Sequence, residues 1–314
     1  MKKVQIYIIN TNCQGFLKDC LTAVANQDYY DFDVTFIDNG STDDSVQFVR
    51  ENFPQVEVVH HIENIGDYKA LNALAMRSGA DYIAILKPDA IVENDWLREM
   101  IAVMANDEQI FSVSPTILYQ HNPTRVKMAG MGYTLGGTAF GLFSGKNVNE
   151  LKQKEVFAAG DCGVLYRRLM FQKLDGYDDN FYSVAGDLDL SWRAKKMGYK
   201  NVICPTSFLN RTFELGSIDN ETRHRLEARN NIWSIHKNAP QWQKFLTGWI
   251  IKGARSSQAR YTKKARSAFK KGVVEGKATA KRMCRKSKTK MWQNMKIATA
   301  QTKYSFVNLV RFPK

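Results

Sequence analysis

Strand-like and helix-like patterns alternate through the first 115 residues, and this alternation restricts the fold more than any other feature of the chain. Residues 4–9 are β-branched and apolar, and 15–26 set Phe16, Cys20, Leu21 and Val24 at helical spacing. Residues 32–37 form a second strand, ending in the turn Asp38-Asn39-Gly40-Ser41. Ser41 or Thr42 stands where it could cap the next helix, with Asp43 and Asp44 in the first turn as the helix dipole favours. Strands at 56–60, 82–86 and 111–113 and helices at 68–77 and 95–105 continue the pattern. Units recurring about every 25 residues predict an α/β fold: a mostly parallel sheet flanked by helices on both faces.

Such sheets bind ligands beyond the carboxyl ends of their strands. Those ends read Asn10-Thr11-Asn12, Asp38-Asn39-Gly40-Ser41, Glu63-Asn64-Ile65-Gly66 and Lys87-Pro88-Asp89. All four are polar or carboxylic and point to one edge. The stretch 116–154 is rich in glycine and weakly periodic, so it is expected to be irregular. Strand character returns at 156–166. Residues 187–197 read as a helix with Gly198 at its C-terminus, and 202–204 as a last short strand before Pro205.

Charge divides the chain in two. The formal net charge is +14. Residues 241–314 hold twenty basic side chains and one acid, Glu275, whereas 1–240 sum to −5. We therefore expect a body at 1–240 and a basic, helix-compatible extension at 241–314. Five scattered cysteines (Cys13, Cys20, Cys162, Cys204, Cys284) make no metal spacing and read as small apolar residues in a reducing compartment. The start, MKKVQIYIIN, reads as a buried strand, and the apolar run 245–251 is too short to span a bilayer. A cytoplasmic location is expected, with peripheral attachment to the inner face of the membrane.

The ordered pieces Ile8-Ile9-Asn10-Thr11-Asn12, Ile37-Asp38-Asn39-Gly40-Ser41-Thr42-Asp43, Glu63-Asn64-Ile65-Gly66, Leu86-Lys87-Pro88-Asp89, Asp187-Leu188-Asp189-Leu190-Ser191-Trp192-Arg193 and Gly198-Tyr199 resemble the family 2 glycosyltransferases, in particular their rhamnosyltransferase-like branch. The resemblance covers roughly residues 3–240 and none of the extension. It implies a GT-A (Rossmann-like) fold and an inverting enzyme moving a sugar from a UDP- or dTDP-sugar to a hydroxyl of a glycan or lipid-linked acceptor. By the same resemblance, Asn10, Thr11 and Asp38 would meet the nucleobase. The Asn64–Gly66 turn would approach the nucleotide, and Asp89 would hold Mg²⁺ or Mn²⁺ on the diphosphate. Asp187 would be the general base, with Asp189 and Trp192 on the acceptor side.

Three positions depart from the family pattern. Lys87 stands where Asp or Asn opens the metal triplet, Gly186 replaces the Glu of a Glu-Asp pair, and Arg211 aligns with a histidine. Three readings stay open. Lys87 and Arg211 could replace the divalent ion, since a guanidinium binds phosphate oxygens bidentately. The site could have decayed to a non-catalytic sugar-nucleotide or glycan-binding relative. Or Lys87 could turn outward and leave Asp89 to hold the metal alone.

In the extension, basic residues interleave with Trp242, Phe245, Trp249, Tyr304 and Phe306, a pattern suited to an anionic membrane surface. Nucleic-acid binding through that tail is the rival from another class, disfavoured because the body offers a sugar-nucleotide site. Packing of the tail on a second subunit is the structural alternative.

Overall fold

The computed structural model describes residues 3–134, 139–212, 219–240 and 263–291. The first half follows the alternation closely. It runs β1 (Val4–Asn10), α1 (Gln14–Ala25), β2 (Phe32–Asn39), α2 (Ser45–Asn52), β3 (Glu57–His61), α3 (Asp67–Ala75), β4 (Tyr82–Leu86), β5 (Ala90–Val92) and α4 (Trp96–Ala105). Strands β3, β2, β1 and β4 lie side by side, all parallel. Along β1, Ile6 and Ile8 join one core cluster while Tyr7 and Ile9 join the other, as the two-residue period requires when both faces are covered. Trp96 and Met100 of α4 pack in the first cluster; Tyr68 and Leu71 of α3 pack in the second.

The second half is mixed, which the sequence pattern does not convey. It comprises β6 (Ile110–Tyr119), β7 (Asn122–Ala129), β8 (Met131–Tyr133), β9 (Ala139–Gly141), β10 (Lys154–Val156), β11 (Val164–Arg167), α5 (Arg168–Lys173), α6 (Gly186–Lys196) and β12 (Lys200–Arg211). Among the described residues the sheet continues from β4 through antiparallel β11 to β6, then to β12 and β10. Much of the stretch expected to be irregular is therefore strand. β7 hairpins onto β6, and β8 pairs with β9 apart from the main sheet. Four of the first residues of β7 are exposed, so it carries no buried alternation to read.

Two strands outrun their prolines. β6 continues past Pro115 and β12 past Pro205, because both prolines fall in one gap of the β6–β12 ladder, between the pairs Ser114↔Ile203 and Thr116↔Phe208. A ring without an N–H costs nothing where the ladder is already broken.

Two long helices complete the described chain: α7 (Asn220–Asn238) and α8 (Lys263–Met291). They pack closely because Gly272 and Gly276 on α8 face the Arg225 and Arg229 backbone, where a Cβ would collide. Glu275 accepts from Arg225 at 2.8 Å and from Arg229 at 3.1 Å, and Trp233 Nε1 donates to Thr279 Oγ1 at 2.9 Å. The single acid of the basic extension is thus spent on α7. The aromatic residues singled out at Trp242, Phe245, Trp249, Tyr304 and Phe306 lie outside the described residues.

Candidate active site

Parallel register brings Asn10, Asp38 and His60 abreast at the ends of β1, β2 and β3. Asp38 is fully buried and accepts four hydrogen bonds. Oδ1 takes Asn10 Nδ2 at 2.9 Å and the Ser41 hydroxyl; Oδ2 takes the Ser41 amide at 3.1 Å and faces His60 Nδ1 at 2.9 Å. A carboxylate has about four lone-pair sites. Asp38 therefore has no unused acceptor site, and His60 is its exposed partner. Asn10 Oδ1 is buried with no partner, and the Thr11 hydroxyl donates to the Asn39 carbonyl at 3.4 Å. His60, which has no metal-spaced neighbour in sequence, is thus a strand-end partner of Asp38.

Ser41 and Thr42 do not cap α2, contrary to expectation. Ser41 is taken by Asp38 and Asn10, and the Thr42 amide donates to Asn12 Oδ1 at 2.7 Å. The helix starts at Ser45, after Asp44, which makes no capping bond.

The turn before α3 is built tightly. Asn64 Oδ1 accepts from Asn39 Nδ2 at 3.0 Å, from the Gly66 amide at 2.9 Å and from the Tyr182 hydroxyl at 3.0 Å. At Gly66 φ is +89°, and a Cβ there would strike the Tyr182 ring. Only glycine fits.

At the β4 end, Lys87 and Asp89 separate. Lys87 Nζ donates to Asp67 Oδ2 at 2.7 Å, while Asp89 turns to Arg211 at the end of β12. Arg211 Nε and Nη2 grip Asp89 Oδ2 and Oδ1 at 3.0 and 3.1 Å, and Nη1 lies 3.8 Å from Asp161 Oδ1. Burial alone works against the Lys87 ammonium, yet Asp67 and Asp161 keep its pKa above the ordinary lysine value. For Asp161, burial opposes ionisation, and Arg211, Lys87 and Arg223 together outweigh it.

The first turn of α6 holds the two aspartates of the Asp-Leu-Asp motif. The chain enters it through strained residues: Tyr182 at φ +66° and Ala185 at φ +61°. The Gly186 amide donates to the Tyr68 hydroxyl at 2.9 Å, and the Tyr68 ring fills the space a Cβ at 186 would need. The missing acid at 186 thus has a steric cause. Asp187 is 5% exposed and forms no salt bridge among the described residues. Burial first, then the Asp161 charge, push its pKa up to about 7.

Asp189 faces the other way. Arg193 Nε donates to it at 2.8 Å, Lys237 Nζ pairs with it at 2.9 Å, and Asn238 Nδ2 donates to it at 2.7 Å. Although burial opposes it, Lys237 and Arg193 hold this carboxylate well below the usual range. The expectation that Asp189 faces the acceptor is corrected: it fastens α6 to α7. Trp192 packs edge-on against Tyr133 and Phe157, with ring centroids 4.7 and 5.3 Å away, so it belongs to an aromatic cluster.

The model of glycosyl transferase family 2 matches residues 5–213. The chain belongs to that family. The O-antigen chain rhamnosyltransferase WbaN of Salmonella anatum is 28% identical over 170 residues, 54% of this chain and 52% of WbaN. Chondroitin synthase of Escherichia coli is 33% identical over 95 residues, 29% of this chain and 14% of the synthase. The chain thus matches about half, or less, of the length of these curated relatives. Solved structures agree on the GT-A fold. Mannosyltransferase PcManGT from Pyrobaculum calidifontis, in complex with GDP-Man and Mn²⁺, superposes with a TM-score of 0.55 at 14% identity, covering 89% of this chain and 87% of that one. GalNAc-T7 with UDP, GalNAc and Mn²⁺ gives 0.60 at 13% identity, covering 83% and 58%.

In this family 2 chain the residues present do not fit a divalent cation. Both Asp89 oxygens are held by a guanidinium, Lys87 is tied to Asp67, and among the described residues no group of three His, Cys, Asp or Glu could hold a metal ion. Both oxygens that Asp89 would offer a metal are thus engaged by Arg211. The four described cysteines are buried and in no disulfide, and burial pushes the Cys13 and Cys162 thiols up to about 11 and raises those of Cys20 and Cys204 as well. The site residue the sequence reading missed is Asp161. It stands alone in a glycine-flanked loop, and only the fold shows its four charged neighbours. Among the described residues no helix is long and apolar enough to cross a membrane.

Proposed function

We propose that the chain is an inverting transferase moving a sugar from a UDP- or dTDP-sugar to a hydroxyl of a glycan or glycolipid. One observation carries this reading: Asp187 is a nearly buried carboxylate with no salt-bridge partner among the described residues, and its pKa of about 7 suits a general base at neutral pH. The Asp161 charge that acts on it also acts with the two cations Lys87 and Arg211. The acceptor hydroxyl gives its proton to Asp187 while its oxygen attacks the anomeric carbon from the face opposite the diphosphate. The bond from that carbon to the diphosphate oxygen breaks, its electron pair leaves with the diphosphate, and the configuration inverts. Asn10, Thr11 and Asp38 line the base end of the donor, Asn64 and Gly66 form the turn against it, and Asp89 orients Arg211. The donor and acceptor classes draw support from relatives: WbaN is named a rhamnosyltransferase of the O-antigen chain, and GalNAc-T7 was solved with UDP.

The test is a transfer assay over a panel of UDP- and dTDP-sugars, with the product anomer read by NMR. Asp187→Asn is expected to lower turnover by about 10²–10⁴-fold. A folded variant within about tenfold of the parent removes Asp187 from the role.

A second part of the reading concerns the extension. We propose that the chain divides near residue 240 and that α8 meets an anionic lipid surface. The supporting observation is its outer face, where Lys264, Arg266, Lys270, Lys271, Lys277 and Arg282 are exposed. Each such charge near an anionic surface is worth about 1 kcal/mol. Flotation with vesicles containing anionic lipid, against neutral vesicles, tests it. Equal flotation with both rejects the lipid surface.

A further inference from the structure

We infer that Arg211 and Lys87 hold the donor diphosphate in place of a divalent cation, with Asp161 as the anion that the diphosphate displaces. The inference rests on the donor reading above and deepens it. Its starting point is the bidentate pair on Asp89. The Asp89 side chain is fully buried, and the guanidinium that grips it is 9% exposed. A divalent ion entering at Asp89 would have to evict a permanent cation from a buried carboxylate and then remain beside it, an arrangement that both repulsion and desolvation oppose.

The geometry leaves phosphate-binding capacity on the cations. Arg211 spends Nε and Nη2 on Asp89, while Nη1 is turned to Asp161 at 3.8 Å, beyond hydrogen-bonding distance. Lys87 has three donors and gives one to Asp67. Asp161 is the half-exposed member of the group, its side chain 50% accessible, and it feels the charges of Lys87, Arg211 and Arg223 together. Before donor binding it balances the charges of Arg211, Lys87 and Arg223. A diphosphate carries more charge and more acceptor oxygens, so it takes that place and pushes the Asp161 carboxylate toward solvent. When the anomeric bond breaks, the electron pair settles on the diphosphate oxygen. Arg211 and Lys87 meet the charge there, while the acceptor proton rests on Asp187.

The experiment titrates UDP and dTDP into the full chain by calorimetry, in excess EDTA and again with Mn²⁺, with transfer assayed in both buffers. Binding and turnover are expected to match within about threefold, whereas a metal-held diphosphate would lose about a hundredfold or more in EDTA. The neutral pair Asp89→Asn/Arg211→Gln, chosen so that neither partner is left buried with an unmatched charge, is expected to weaken binding about 10–100-fold. Asp161→Asn, at a half-exposed position, is expected to tighten binding in EDTA. Binding or turnover that vanishes in EDTA and returns with Mn²⁺ overturns the inference and leaves the donor reading standing. Weaker binding by Asp161→Asn also overturns it, since a displaced anion cannot be a ligand. Failure of both nucleotides to bind in either buffer sinks the inference and the donor reading together.

Discussion

The two sides of α6 make an instructive contrast. On the side away from α7, Asp187 has no salt bridge among the described residues, and burial, with the Asp161 charge, lifts its pKa to about 7. On the side facing α7, Asp189 is fully buried among Arg193, Lys237 and Asn238, and its pKa is held far down. The residue type, the helix turn and the depth are the same. What differs is the company. A carboxylate stripped of water becomes a proton acceptor for neutral pH if no cation is supplied, and a structural anchor if two are.

The contrast can be broken from the anchor side first, where the largest effect is expected. Asp189→Asn leaves Lys237 and Arg193 short of a buried partner and is expected to cost about 3–5 kcal/mol of unfolding free energy, read by urea denaturation. The opposite sign is expected across the helix. Asp187 has a folded-state pKa above its unfolded value of about 3.9. Its contribution to wild-type stability is therefore fully present below about pH 3.9 and is lost as pH rises through about 7. Asp187→Asn should be more stable than wild type above pH 7 by an amount on the order of 1–3 kcal/mol, and nearly equal to it at pH 4. An advantage over wild type no larger at pH 8 than at pH 4 would mean that the carboxylate is not desolvated.

Smaller effects sharpen the contrast. Gly186→Ala pushes a methyl into the Tyr68 ring and should cost about 1–3 kcal/mol. Pairing it with Tyr68→Ala relieves the clash, which a double-mutant cycle reads directly. The acid limb of the kcat/KM profile should fall near pH 7, where Asp187 protonates. Asp161→Asn removes a charge that raises the Asp187 pKa, so that limb should move to lower pH. An unmoved limb would assign the titration to another group.

Much of this was readable beforehand. Strands β1 and β4 and the second half of β2 are buried on both faces, and their apolar runs, with the polar residues that end or follow β1 to β4, put Asn10, Asp38, Asn64, Lys87 and Asp89 on one rim. The fold beyond residue 110 was less legible, because β7 exposes its first four residues and the two prolines mark a ladder gap instead of strand ends. Asp189 was read with Trp192 as an acceptor-side residue, although its four-residue spacing to Arg193 is that of a helix pair. The departures at Lys87 and Arg211 were visible as letters. That one would choose Asp67 and the other Asp89 depends on strands far apart in sequence, and no local pattern encodes it.

Gly186 and Tyr68 also set a limit on how such a chain can change. Because the phenol ring already occupies the volume of any side chain at 186, an acidic residue cannot return there in one substitution without jamming the mouth of the helix that presents Asp187. The ring must shrink first, and the amide it now accepts would then need another oxygen. An acid at 186 thus calls for a smaller residue at 68.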